Sequence, residues 1–228
     1  MLYGVILVLS LLFSLFLIWR LYKTSLVFLR FKITLDEFFD STLVFLLSFG
    51  IGARLLFVVK YWGLFTKSIF DWVLFLHVPG FSFLGGVIGG ILGLWLFCLH
   101  KRKPYFLFLD LILVGLAFAY AISRIGSLIA GEPYGRILAY EVILSIVIAL
   151  VIYYVYSKGK EKPGVLSLYF LFLIGLSSFF IELQHNDSVY LGVSSTFISI
   201  GIVGIIFINL DRIRLLIKRK LHDKNSQT

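Results

Sequence analysis

YFLFLDLILVGLAFAYAI at residues 105–122 runs directly into SRIGSLIAGEPYGR at residues 123–136. The first part is apolar apart from Asp110, and its length approaches the roughly 20 residues with which a helix crosses a hydrocarbon core about 30 Å thick. The second gathers charge, glycine and proline before the next apolar run begins. Together they predict a membrane-crossing helix that delivers the chain into a polar turn at one face. Within that turn Gly126 and Gly131 lie between Arg124 and Glu132, so a tight backbone can bring the two charges to one small anionic or zwitterionic group. An ordinary polar turn between two spans is the plain alternative.

On either side the same alternation continues. Apolar runs at 2–19, 41–59, 80–99, 137–156, 165–183 and 190–210 make seven with the one above. A mean hydropathy of +1.01, with 60% hydrophobic and 14% charged residues, excludes a soluble domain of 228 residues. Period-2 alternation is absent, which argues against a transmembrane barrel. The fold class expected is all-α: one polytopic membrane domain over residues 1–228 with seven transmembrane helices and no internal repeat. Residues 60–79, rich in Trp, Phe and Lys and closed by His77 and Pro79, are expected to lie along the membrane interface. The first run has no basic residue ahead of it, unlike a signal peptide, and is expected to stay as a span.

The net charge of +9 raises the question of nucleic acid, but the basic residues stand in short clusters beside apolar runs, where topology explains them. No nucleic-acid partner is expected. With seven alternating spans, sixteen Lys and Arg fall on one side and four on the other. The positive-inside rule then puts the N-terminus outside and the C-terminus, with its basic tail 211–228, in the cytoplasm. Cys98 is the single cysteine, which excludes an intramolecular disulfide, and no Cys/His cluster has metal-ligand spacing, so neither metal nor cofactor is expected.

In that orientation Arg54 falls in the outer part of span two, Glu141 near the outer end of span five and Glu182 at the outer end of span six, level with Arg124 and Glu132. An ionisable side chain at mid-helix costs about 2.5–3.5 kcal/mol on insertion scales, so such groups pair or line a wet cavity. Each alone reads as a structural ion pair. Five at one depth predict a polar pocket in the outer leaflet, with at least two cations for a phosphate. Asp110, near the cytoplasmic end of span four, reads as a helix-start or snorkelling residue. In span three, Gly85, Gly86, Gly89, Gly90 and Gly93 form two small-xxx-small series that let another helix approach closely.

Taken in order, these residues resemble the bacterial prolipoprotein diacylglyceryl transferases. The family signature, roughly Gly-Arg-x-Gly-Asn-x-x-Asn-x-Glu-x-x-Gly, is met by Arg124, Gly126, Glu132, Gly135 and Arg136. Further matches are Gly52-Ala53-Arg54, the glycine-rich stretch 80–90 with Gly85 and Gly86, Tyr140-Glu141, Lys162-Pro163-Gly164 and Glu182. The resemblance implies transfer of the diacylglyceryl group of phosphatidylglycerol to the thiol of a lipobox cysteine in a preprolipoprotein, releasing glycerol phosphate at the outer leaflet of the bacterial plasma membrane. The partners it implies are phosphatidylglycerol, the signal peptides of preprolipoproteins and the surrounding membrane lipid. It implies Arg124 and Glu132 as catalytic residues, Arg124 on the phosphate and Glu132 orienting an arginine or a glycerol hydroxyl. Arg54 and Arg136 would assist Arg124, while Tyr140, Glu141 and Glu182 would hold the arginines in place. Gly126, Gly135, Gly85 and Gly86 fall among the implied substrate-binding positions.

The chain also departs from that family. Leu84 stands where the family has a histidine in span three, and Ser127 and Ala130 stand where the signature has asparagines. Ser178 replaces an arginine ahead of the span-six glutamate, Ile174 that arginine's tyrosine partner, and Phe81 one glycine of the span-three motif. The direct passage from Arg136 to Tyr140 leaves no room for the head insertion common in the family, so no large periplasmic head domain is expected. A positioned general base contributes about 10²–10⁴-fold, and a thiol of pKa about 8.5 is already a few per cent ionised at neutral pH. Loss of the histidine is survivable on that arithmetic; loss of a phosphate-facing arginine is harder to absorb. His185 and His77 are candidate substitute bases, each more simply read as an interfacial histidine. The alternative function is a non-catalytic relative that binds phospholipid or signal-peptide helices in the same pocket. A transporter fits less well, because no paired broken helices or inverted halves appear.

Overall fold

The computed structural model describes residues 2–65, 80–130, 135–158, 163–185 and 191–206. Helix α1 is Leu2–Thr24, the short α2 Leu26–Arg30, α3 Leu35–Lys60, α4 Phe83–Lys101, α5 Tyr105–Ile129, α6 Gly135–Ser157 and α7 Val165–His185. Residues 191–206 form α8, and a single 3-10 turn, Trp62–Leu64, follows α3. Among the described residues there is no strand. Five helices are long and apolar enough to cross a membrane, within Val5–Thr24, Leu35–Lys60, Phe83–Lys101, Tyr105–Ile129 and Leu138–Ser157. The apolar parts of α7 and α8, Val165–Phe180 and Leu191–Ile206, are shorter.

Local chemistry sets the helix ends, and at two of them the sequence expectation needs correcting. Thr34 and Glu37 form a reciprocal capping box, Glu37 N donating to Thr34 Oγ1 (3.3 Å) and Thr34 N to Glu37 Oε2 (3.1 Å), so α3 begins at Leu35, ahead of the apolar run. Asp36 and Glu37 also complement the positive end of that helix. Helix α5 runs on beyond residue 122, because nothing between Ser123 and Ile129 breaks it. It closes where Ala130 N donates to the Gly126 carbonyl at 2.9 Å, just ahead of Gly131 and Pro133. The expected polar turn is thus largely helix, and Arg124 rides on the last turns of α5.

Helix α5 is the centre of the bundle and touches α1, α3, α4, α6 and α7. Its Phe108, Leu111, Leu113 and Val114 are wholly buried. The most extensive helix pair is α3 with α4, and glycine makes it possible. A Cβ on Gly52 would overlap the Gly85 carbonyl, one on Gly89 the Ser48 carbonyl, and one on Gly86 would stand 2.5 Å from the Phe49 ring. A Cβ on Gly85 would stand 2.5 Å from Leu56 Cβ. Gly85 and Gly86, expected to bind substrate, therefore serve a helix contact that α3 fills.

At the end of the bundle that carries the basic linkers, polar groups lock the helices. Lys103 pairs with Glu37 at 2.6 Å, tying the α4–α5 turn to the start of α3. The Tyr22 hydroxyl donates to the Ile33 carbonyl at 2.9 Å, and Phe28 of α2 packs edge-on against Phe108. Asp110 is neither a snorkelling residue nor a cap on its own helix: it is buried, and it caps α7. Gly164 N donates to Oδ2 at 2.6 Å, Ser167 N to Oδ1 at 2.9 Å, and the Ser167 hydroxyl to the same Oδ1. A carboxylate from one helix thus satisfies the orphan N–H groups at the start of another.

Candidate functional site

About 20 Å along α5 from Asp110, α5 and α6 bring three polar side chains together. Arg124 Nε lies 2.7 Å from Glu141 Oε1. The Tyr120 hydroxyl donates to the same oxygen at 2.6 Å. One helical turn separates Tyr120 from Arg124, so the guanidinium lies over the phenol ring, 5.1 Å from its centroid. Phe83, at the start of α4, packs against that ring with centroids 4.2 Å apart. Glu141 and Tyr120 are 8% and 6% exposed, and the Arg124 side chain is 30% exposed. The buried carboxylate is compensated by a cation and a phenol, while the cation keeps an open side.

That open side meets a cavity of about 290 Å³ between α1, α3, the start of α4 and α5. Leu7, Leu11, Leu46, Phe49 and Leu116 make its walls mainly apolar; Ser10, Ser82, Ser123, Tyr120 and Arg124 are its polar members. The serines are already engaged: Ser10 Oγ donates to Leu7 O and Ser123 Oγ to Tyr120 O, while Ser82 Oγ accepts from Gly85 N. Among the described lining residues, Arg124 alone carries charge. A cation in an apolar wall favours an anionic group whose remainder is hydrocarbon.

Arg54 is buried and bridges α3 to the segment that enters α4. Its Nη1 donates to the Gly80 carbonyl at 3.1 Å, and its guanidinium stands 5.1 Å from the Phe65 ring and 5.7 Å from the Phe57 ring. Ser82 N donates to Ala53 O beside it, at 3.0 Å. Gly126 is buried in α5, and Gly135 opens α6. Tyr140 is 71% exposed and stands outside the buried cluster. Consecutive helical residues point about 100° apart, so with Glu141 turned inward Tyr140 faces out. Glu132 and His77 lie outside the described residues, as do the side chains of Arg136, Glu182 and His185. Leu84 is buried in the apolar core.

Tyr120 is the member of the cluster that the sequence reading missed. Its one available signal was position: four residues before Arg124, on the same helical face.

A family model described as prolipoprotein diacylglyceryl transferase matches residues 1–210. The chain belongs to this family. Curated relatives named phosphatidylglycerol–prolipoprotein diacylglyceryl transferase include one from Streptococcus uberis, 28% identical over 213 residues, covering 80% of this chain and 82% of the relative. One from Clostridium perfringens, carrying the same name with the numeral 2, is 27% identical over 209 residues, or 78% and 80% of the two chains. One from Finegoldia magna is 26% identical over 172 residues, or 67% and 69%. Prolipoprotein diacylglyceryl transferases are enzymes by name, and this chain's own membrane-length apolar helices, with its bacterial relatives, make it a bacterial membrane protein.

Proposed function

We propose that this chain transfers the diacylglyceryl group of phosphatidylglycerol to the lipobox cysteine thiol of preprolipoproteins, the first step of lipoprotein maturation. The observation that carries the reading is Arg124, paired with Glu141 and set in the wall of a mainly apolar cavity. In the reaction the cysteine sulfur attacks the glyceryl carbon that bears the phosphate. A C–S bond forms, the C–O bond to phosphate breaks, and its electron pair leaves on glycerol phosphate while a base takes the thiol proton. Charge builds on the departing phosphate, so a fixed guanidinium stabilises the transition state more than the bound lipid. Glu132 is read as the second catalytic residue, orienting an arginine or a glycerol hydroxyl, Arg136 and Glu182 are assigned supporting roles from the family motif, and Arg54 holds the backbone around the cavity mouth. The chain is read as seven spans with its N-terminus outside, and the site faces the outer leaflet of the plasma membrane. Signal peptides reach the site from the surrounding lipid.

Complementation tests this directly: the chain is expressed in a bacterium depleted of its own transferase, and the mass of a reporter lipoprotein is followed. Lipidation is expected from the wild type and a loss of at least about 10²-fold from Arg124→Ala, the scale of a lost electrostatic stabiliser. An inserted, stable wild type that lipidates nothing would sink the transferase reading. Leu84, buried among apolar neighbours where the family has a histidine, favours a second reading, a relative that binds phospholipid or signal-peptide helices without turnover.

A further inference from the structure

Tyr120 is held from three directions. Phe83 packs on its ring, the Arg124 guanidinium covers that ring, and Glu141 accepts its hydroxyl proton. It is nearly buried and yet lines the cavity. Packing alone calls for Phe or Leu at such a position, because burying a hydroxyl costs free energy unless it finds a partner. The partner here is the same carboxylate oxygen that Arg124 Nε meets.

We propose that Tyr120 is a positioning residue: it sets the Arg124 guanidinium against the cavity so that it receives the phosphodiester of a phospholipid. The inference rests on reading Arg124 as the phosphate ligand, and it holds for a transferase and for a lipid-binding relative alike. An arginine side chain loses much rotamer freedom when it clamps an anion. Glu141 meets the guanidinium at Nε, along one edge. The ring of Tyr120 supplies a plane to lie on, and its hydroxyl holds the carboxylate that fixes the edge. The ordering is therefore complete before lipid arrives.

The test is equilibrium binding of phosphatidylglycerol to the detergent-solubilised full chain, read by native mass spectrometry. The variants are Tyr120→Phe, Tyr120→Leu, Arg124→Lys and the two double substitutions. Tyr120→Phe keeps the ring and is expected to weaken binding about tenfold, the scale of one hydrogen bond to a charged group. Tyr120→Leu also loses the cation–π face and is expected to weaken it by a further factor of about 3–30. With Arg124→Lys present, both Tyr120 substitutions are expected to cost less than about twofold, since residues that act through one another are non-additive. Equal losses in the two backgrounds, with melting temperatures falling alongside, overturn the proposal and leave Tyr120 a packing residue. A wild-type chain with no measurable affinity for phosphatidylglycerol also overturns it. Reporter lipidation is followed in parallel. Coupled losses of binding without any lipidation by the wild type defeat the transferase reading and leave the positioning of Arg124 standing.

Discussion

Glu141→Gln keeps the volume of the side chain and an acceptor for Tyr120, but removes the charge opposite Arg124. The expected cost to stability is about 1–3 kcal/mol, the scale for removing one partner of a buried polar pair, and it is read as a lower melting temperature in micelles. Reporter lipidation is expected to fall with it by roughly tenfold or more, since the guanidinium loses its anchor. Glu141→Asp, which retains the charge on a shorter stem, is expected to recover part of both. At this scale the sequence was legible where charge interrupts hydrocarbon: Arg54, Arg124 and Glu141 stand out in their apolar runs. Tyr120 did not, because a tyrosine among apolar residues carries no such mark and the chain has 12 of them. Tyr140 was misplaced for a related reason. Its adjacency to Glu141 in a motif says nothing about which of the two the helix turns inward.

Helix α3 offers a paired test within one element contact. Gly89→Ala would push a methyl group into the Ser48 carbonyl of the facing helix, where backbone cannot yield cheaply. Overpacking of this kind costs about 1–3 kcal/mol. Gly50, on α3 but facing open space, is the control. Gly50→Ala is expected to leave activity unchanged and to stabilise the helix by about 0.5–1 kcal/mol. Thermal unfolding of the two variants in the same detergent checks both signs, and a Gly89→Ala protein as stable as wild type would contradict the close approach of α3 and α4. The glycine spacing announced that some helix would approach closely but did not say that α3 is that helix, and the helix limits stayed hidden. An apolar run records where the hydrocarbon is, but a helix ends where its capping groups are, so α3 starts early at Leu35, behind its Thr34 cap, and α5 overshoots to Ile129.

For the whole molecule, the reading of seven spans predicts which polar segments meet which compartment. In a Cys98→Ser background, single cysteines at Ser25, Lys158 and Ala130 would be probed in intact cells with a membrane-impermeant maleimide. Ala130→Cys is expected to react from outside, and the other two only after the membrane is opened. The reverse pattern would invert the topology and move Arg124 to the cytoplasmic leaflet. The all-helical membrane class followed from hydropathy and the absence of period-2 alternation, because lipid leaves the backbone only helices and closed barrels. The way the helices lock together did not, since it depends on pairings far apart in the chain. Asp110 and its α7 partners are separated by 54 and 57 residues. During synthesis α5 is therefore made well before the N–H groups that will satisfy its carboxylate. Until Gly164 and Ser167 emerge, Asp110 must stay near the lipid headgroups or share the translocation channel's water. The carboxylate of α5 and the first N–H groups of α7 thus complete one another only once both segments have been made.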